Sequence, residues 1–540
     1  MNRKYFPYLV LLSLITLLII FKNKNTVVSK HESGFYLNPF KLVLTTDNKQ
    51  TIHYTLDGSN PTNQSEIFQN QLLITGKESY NYLSFINTTI ADSIADFGWR
   101  EPKRKQDKAT IVKYAGFQNG ILQTGVKTLS FFIDFSLYTK NQTKYKLPII
   151  SISTDKINLY SNDKGLFVSG NNFNPNKKHS GNYHLRGKNW ERKVFIQYFN
   201  KNGVLEFEQN IGMRIHGGIT RRNPQKSLKF YARKEYGKTK INLPFLTEKG
   251  INRFILESMQ ESGGGQALIE DVVAQEIVKG IGLEQQNSQA VIVFINGEYW
   301  GLHTIRDRID ENYLAYKFNL HKDSFDIIDG NPSIAYEIIN GNNSDYLDLL
   351  AFIKETDLSI TKNYNYTISK LDIDNFIDYY SVEIFFANND WPIHNAKLWK
   401  KKNNGKWRWI LYDLDGGFTN KRDHLFNMFE RISIEGKYPY PEATLLFRNL
   451  IKNQSFRDQF IARYKEILKL YMQPERTIPI VDSISNIYRI NIQSHVNRWR
   501  YPWTVNHWER DLNKNIKDFL RNREKSTIEN LNNIMKHENL

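Results

Sequence analysis

The chain has 540 residues, with 33 Phe, 30 Tyr, 10 Trp and no cysteine. That length exceeds one average domain and can bury a large core, while the lack of cysteine excludes disulfides, thiolate zinc sites and a thiol nucleophile. Lys and Arg outnumber Asp and Glu by 73 to 56, a formal charge of +17, which suits acidic partners such as nucleotides or an anionic membrane. No zinc-finger, basic-zipper or RNA-recognition pattern accompanies the charge, so nucleic acid is not an expected partner.

Residues 1–25 read as a targeting segment. Asn2-Arg3-Lys4 is a basic start, Tyr5 to Phe21 is apolar and uncharged, and Lys22 and Lys24 follow. No small-x-small cleavage site stands behind it, so a signal-anchor is expected first and a cleaved signal peptide second. Either puts the bulk of the chain outside the cytoplasm, membrane-anchored or secreted.

From Ser33 to about Leu147 short β-rich runs alternate with turns: PFKLVLTTD, TIHYTLDG, YLSFIN, TIVKYAGF and LSFFIDFSLY. Asp-Gly, Asn-Pro and Asn-Gly steps break them, which predicts a small β-sandwich over 33–147. Asp57, inside the Asp-Gly step, reads as a turn residue. A new β segment starts at Leu147-Pro148-Ile149, and WERKVFIQYF, GVLEFEQNIGMRIHGG and KSLKFYARKEYG then alternate as strands. Between the last two lies the basic turn Gly217 to Arg222, whose backbone N–H groups and Arg221 can lie over phosphates. Lys226 shares a side of the following strand with Leu228 and Phe230 by period-two alternation. A lysine there edges a cleft or snorkels from the strand's start.

Gln266 to Gly280 is helix-like and offers Asp271 and Glu276 as partners for a cleft lysine. AVIVFI, Asn296-Gly297 and EYWGLHTI form a hairpin. The remainder turns helical, so strands precede helices and an α+β layout of two lobes is expected, strand-rich over about 148–310 and helical over about 311–540.

Inside the helical part, Asn388 to Phe418 carries the most chemistry. Its loop, NNDWPIHN, leads into the runs AKLWKK and KWRWILY around Asn403-Asn404-Gly405 and ends in Asp413-Leu414-Asp415-Gly416-Gly417. The two ends of a hairpin meet, so Asp390, Asn395 and Asp413 converge. Two carboxylates and an amide oxygen are hard ligands of the kind Mg²⁺ selects when phosphates complete its shell. Asp and Gly are also ordinary turn residues, so this stretch alone leaves a solvated hairpin open.

Two resemblances extend the reading. SGFYLNPFKLVLTTDNKQTIHYTLDGSNPT resembles the chitobiase C-terminal-like module, which implies an immunoglobulin-like accessory domain of exported proteins. From Leu147 on, GMRIHGGITRRNPQKSLKFYARKEYG, VFINGEYWGLHTIRDRID, EIFFANNDWPIHNAKLWK and WRWILYDLDGGF resemble the CotH (spore coat protein H) family. That implies an atypical protein-kinase-like domain over 148–540 in a bacterial protein, using ATP and Mg²⁺ or Mn²⁺ to phosphorylate Ser or Thr of exported or surface proteins. Carried over, Asp390 would act on the acceptor hydroxyl, and Asn395, Asp413 and Asp415 would hold the metal. Lys226, or Lys229 if the strand register is shifted, would meet the ATP phosphates with Arg221, and Asp271 or Glu276 would hold that lysine. Asp307 stands where relatives often carry Glu, and no His-Arg-Asp or Asp-Phe-Gly triplet is present. A non-catalytic surface or adhesion protein on the same scaffold is the second reading, because fold does not certify activity.

Overall fold

A computed structural model describes residues 26–536, apart from 47–48, 76–81, 89–97, 134–137, 140–141, 178, 247–250, 261–266, 331–335 and 419–423. The targeting segment, residues 1–25, lies outside the described residues. Among those described, no helix is long and apolar enough to cross a membrane.

The N-terminal part is the expected β-sandwich. Thr51–Thr55, Thr110–Gln118 and Lys127–Ile133 are the central strands of a six-stranded sheet. Two short strand pairs, Val28–Ser29 with Leu44–Thr45 and Phe40–Leu42 with Leu72–Ile74, help close a core of Leu42, Ile52, Ile74, Val112 and Phe131. One expected strand is absent. YLSFIN forms a 3₁₀ turn over Leu83–Phe85, because its N–H groups go to a carboxylate rather than a sheet edge. Leu83 N and Ser84 N donate to the fully buried Glu298 at 2.6 and 3.2 Å. Buried amides must find acceptors, and here the acceptor belongs to the next part of the chain. Phe132 likewise packs edge-on against Phe199 and Phe294, 5.5 and 5.0 Å away.

Next come β1 (Ile149–Ser153), β2 (Arg192–Phe199), β3 (Leu205–Ile215), β4 (Leu228–Tyr231), β5 (Arg253–Ser258), α1 (Glu270–Ile277), β6 (Glu284–Gln285), β7 (Ser288–Ile295) and β8 (Glu298–Arg306). All of these strands except β6 close a barrel in the order β1-β2-β3-β4-β5-β8-β7. The β7–β8 turn is the expected Asn-Gly pair, with left-handed φ of 47° at Asn296 and 79° at Gly297, as a two-residue hairpin requires. Ile152, Ile196, Met213, Phe230, Leu256 and Val293 fill the barrel. Alternation therefore sends the intervening residues outward. Register aligns Arg214, Lys229, Ile255 and Arg306 in one row across β3, β4, β5 and β8. The barrel's outer face is thus cationic along that row.

The rest holds α2 (Glu311–Phe318), β9 (Phe325–Gly330), β10 (Glu337–Asn340), α3 (Ser344–Glu355), α4 (Thr361–Lys370), α5 (Ile373–Phe386), β11 (Ala396–Lys401) and β12 (Arg408–Leu411), followed by further helices to Met535. The β11–β12 hairpin is as expected, but it sits in a five-stranded sheet of order β6-β12-β11-β9-β10. Strands β9 and β10 were not anticipated. FDIIDG is too short to show a period, and its pairing with β11, Ile328 opposite Leu398, and with β10, Ile328 opposite Ile338, makes it a strand. Helix α5 is buried at every residue from Asn375 to Phe386, the pattern of a helix enclosed on all sides. It aims its C-terminal end at the loop from Asn388.

Candidate active site

Helix α5 stops at Ala387, whose φ of 53° is left-handed, and Asn388 becomes the centre of a hydrogen-bonded knot. Its Nδ2 donates to Glu383 Oε2 at 3.0 Å and to the Asp413 carbonyl at 3.3 Å, while its Oδ1 accepts from Asp390 N at 3.3 Å. Asn389 N donates to the Gly416 carbonyl at 3.0 Å. A Cβ on Gly416 would lie 2.5 Å from Asn388 Oδ1, so only glycine lets the loop close on the Asp-Gly-Gly turn. Asn395 Nδ2 donates to the Asp413 carbonyl at 3.1 Å, and Tyr379 Oη donates to the Asn395 carbonyl at 3.1 Å. Asp390 is exposed at the edge of this knot. The four residues Asp390, Asn395, Asp413 and Asp415 therefore share one loop cluster.

Asp413 and Asp415 line a cavity of about 30 Å³ together with Glu257, Asp271, Thr304 and Arg306. Arg306, only 1% exposed, donates from Nε to Glu257 at 2.8 Å and from Nη2 to Asp271. Asp271 also accepts from Leu414 N at 2.8 Å and from Gln275 Nε2. It thereby ties α1 to the Asp-Leu-Asp segment. Burial drives the Asp413 carboxyl well above its ordinary pKa, and the hydrogen-bonded Asp415 and then Asp271 and Glu257 raise it further. Burial lifts Glu257 as well, against the pull of Arg306. Behind the cavity Glu383, fully buried, is raised well above the ordinary range by burial, against hydrogen bonds from Asn388 and Tyr379. With Glu270 also in the lining, five carboxylates stand here against one guanidinium, an excess of hard oxygen donors that a divalent cation would neutralise. The cavity admits an ion with little more than its water. Among the described residues no three acidic or histidine side chains stand at metal-ligand spacing.

The two lysines part company. Lys226 precedes β4. Its Nζ donates to the Arg221 carbonyl at 2.8 Å, lies 4.1 Å over the Tyr183 ring and is held well below its ordinary pKa by burial. Tyr183 belongs to the barrel core, so Lys226 is enclosed there. Lys229 lies on the outer face instead. Burial pushes its pKa down to about 6, with Arg308, Arg221, Lys397 and Arg186 adding repulsion. Of the acidic partners weighed, Glu276 is half-exposed and pairs with Lys279 at 3.3 Å, away from both lysines because α1 turns that face outward. Asp271 is the one turned inward, and its cation is Arg306. Arg221 is occupied differently from expectation. Its guanidinium donates to the carbonyls of Gly217, Tyr183, Leu185 and Ile215, which pins the turn and leaves no free fork for a phosphate. Asp307 accepts from Asn287 N at 2.9 Å and Nδ2 at 2.7 Å, bracing the segment after β8.

Sequence reading passed over Glu257, Arg306 and Glu383. The first two had a signal. Each is a charged residue alternating with Leu256 or Ile305, residues of the barrel core, so the period-two pattern alone puts them on the opposite face. Glu383 had none, because an apolar helix does not show which side faces a site.

A family model described as CotH kinase protein matches residues 213–527, and the model of the chitobiase/beta-hexosaminidase C-terminal domain matches residues 31–94. No curated protein matches the chain. Among solved structures, the Helicobacter pylori proinflammatory kinase CtkA is similar over 53% of this chain and 91% of its own, at 10% identity and a TM-score of 0.25. The Shewanella oneidensis MR-1 toxin–antitoxin complex of HipA and HipB with operator DNA is similar over 50% and 66%, at 11% identity and a TM-score of 0.20. Both likenesses are slight. The family match spans more than half of the chain and includes the barrel's outer row, the carboxylate cavity and the loop of Asp390: the chain belongs to the CotH kinase protein family.

Proposed function

We propose that the chain is an ATP-dependent phosphotransferase acting on Ser or Thr hydroxyls of exported or surface proteins. The observation that carries this reading is the cavity where Glu257, Asp271, Asp413 and Asp415 meet a single guanidinium, beside a barrel face that presents Lys229. Mg²⁺ or Mn²⁺ would be held by Asp413, Asp415 and Asn395, and supplies charge neutralisation to the phosphates. Lys229, rather than the enclosed Lys226, meets the polyphosphate. Asp390 takes the hydroxyl proton as the acceptor oxygen bonds to the γ-phosphorus and the bridge to the β-phosphate breaks, releasing ADP. Asn388 holds the Asp390 backbone to the metal-binding turn, so base and metal ligands move as one piece. The chitobiase-like module and the apolar start of the chain support a location outside the cytoplasm, anchored or secreted.

The test is transfer of label from γ-labelled ATP by the full-length chain, with Mg²⁺ or Mn²⁺, to itself or a generic acceptor. Loss of transfer in both Asp390→Ala and Asp413→Ala, each still folded, is the expected result. A folded wild-type chain that neither binds nor turns over ATP in either metal would leave only the scaffold role.

A further inference from the structure

Several cations around the barrel's outer face are paired with acids. Arg214 and Arg233 share Glu191 at 2.7 and 2.8 Å, and Arg253 holds Asp310 at 2.9 Å. Lys229 is different. Among the described residues it has no ion pair, and the charges that act on it most strongly are the cations Arg308, Arg221, Lys397 and Arg186. Two of these, Arg186 and Arg221, bond the carbonyl of Gly217 at 3.3 and 2.7 Å. The other two, Arg308 and Lys397, have only long acid contacts, Arg308 Nε to Asp310 at 3.3 Å and Lys397 Nζ to Asp329 at 3.4 Å. Like charges enclosed together are costly unless an anion joins them.

Their position says which anion. Lys397 stands two residues beyond Asn395 and lies 4.3 Å over the ring of Tyr412, the neighbour of Asp413. Arg308 follows Arg306 by two residues and donates to Tyr231 Oη at 3.3 Å. Lys229, Arg308 and Lys397 thus come from β4, from the linker after β8 and from β11 of the second sheet, beside the acidic cavity. Resting on the phosphotransfer reading, we infer that Arg308 and Lys397 complete with Lys229 a three-cation seat for the polyphosphate chain of a nucleoside triphosphate. Affinity then resides in the phosphates, whose spaced charges match cations from three elements. Binding joins the barrel to the second sheet, because the anion removes the repulsion between Lys229 on one and Lys397 on the other.

The experiment is calorimetric titration of the full-length chain with ATP, inorganic tripolyphosphate and adenosine in a metal chelator, so that only the chain's own cations act. Lys397→Met and Arg308→Met each raise Kd for ATP and tripolyphosphate tenfold or more and leave adenosine unchanged. Lys401→Met, exposed on the same strand, has no effect. Asp329→Asn removes the acid that competes for Lys397 and tightens tripolyphosphate binding several-fold, an outcome that loss of folding cannot imitate. Kd values within twofold of wild type in both cleft variants, in a chain that still binds and transfers from ATP, would overturn the seat and leave phosphotransfer standing. An Asp329→Asn chain that binds no more tightly also counts against it. A wild-type chain that takes up neither ATP nor tripolyphosphate would overturn both readings.

Discussion

Lys229 makes nucleotide binding pH-dependent with a sign that can be worked out. Its amine is pushed down to about 6 by burial and by Arg308, Arg221, Lys397 and Arg186. At about pH 8 it is therefore neutral in the free chain, and charging it costs about 2.7 kcal/mol at 1.36 kcal/mol per unit. Bound phosphate reverses the balance by placing negative charge beside the amine, so the pKa rises and binding takes up a proton. Wherever the bound state holds the extra proton, the association constant falls as pH rises, by up to tenfold per unit. From about pH 6.5 to about pH 8.5 the loss approaches a hundredfold, provided the bound pKa lies above about 9. Phosphates and carboxylates titrate in the same window, so Lys229→Met in the same series isolates the lysine. Calorimetry in buffers of different ionisation enthalpy counts the protons directly. About one more proton per ATP at about pH 8 in wild type than in Lys229→Met is expected. Equal proton uptake in the two chains would refute the reasoning, because it would mean that the amine is not neutral before binding or does not meet the phosphates.

Other outcomes are checked more simply. Asp413→Asn abolishes label transfer yet raises Tm, since relieving repulsion among buried carboxylates stabilises the fold by about 1–3 kcal/mol; an unchanged or lowered Tm would show that the carboxylates do not oppose one another. Gly416→Ala sets a methyl 2.5 Å from Asn388 Oδ1, costs about 1–3 kcal/mol in denaturant unfolding and lowers kcat more than it raises KM. Asp271→Asn leaves Arg306 with Glu257 alone and costs about 3–5 kcal/mol, seen as a lower unfolding midpoint. Lys229→Met raises stability below about pH 10, because the unfolded chain binds a proton there that the folded chain refuses; stability of the wild type rises with pH from about 6 toward the ordinary lysine range while that of the variant stays flatter.

Short-range chemistry accounts for the elements legible along the chain. Asn296-Gly297 and Asn403-Asn404 make hairpin turns because those residues accept positive φ, and the return of Asp413 to the loop of Asn388 and Asn395 follows from the second of them. Period-two alternation put Leu228 and Phe230 on one side and would have put Glu257 and Arg306 on the other. Which of the two sides faces the site depends on packing between elements. A closed barrel turns one face of each strand into core and the other toward α1, so Lys226 is enclosed at the Arg221 carbonyl while Lys229 looks outward. Helix α1 could present Asp271 or Glu276, which lie on different sides of the helix (about 140° apart around its axis), and only packing against Arg306 and Leu414 N selected Asp271. The cationic seat was hidden for the same reason. Lys229, Arg308 and Lys397 are separated by long stretches of chain, and no local propensity encodes a meeting that depends on barrel closure, on the linker after β8 and on a second sheet.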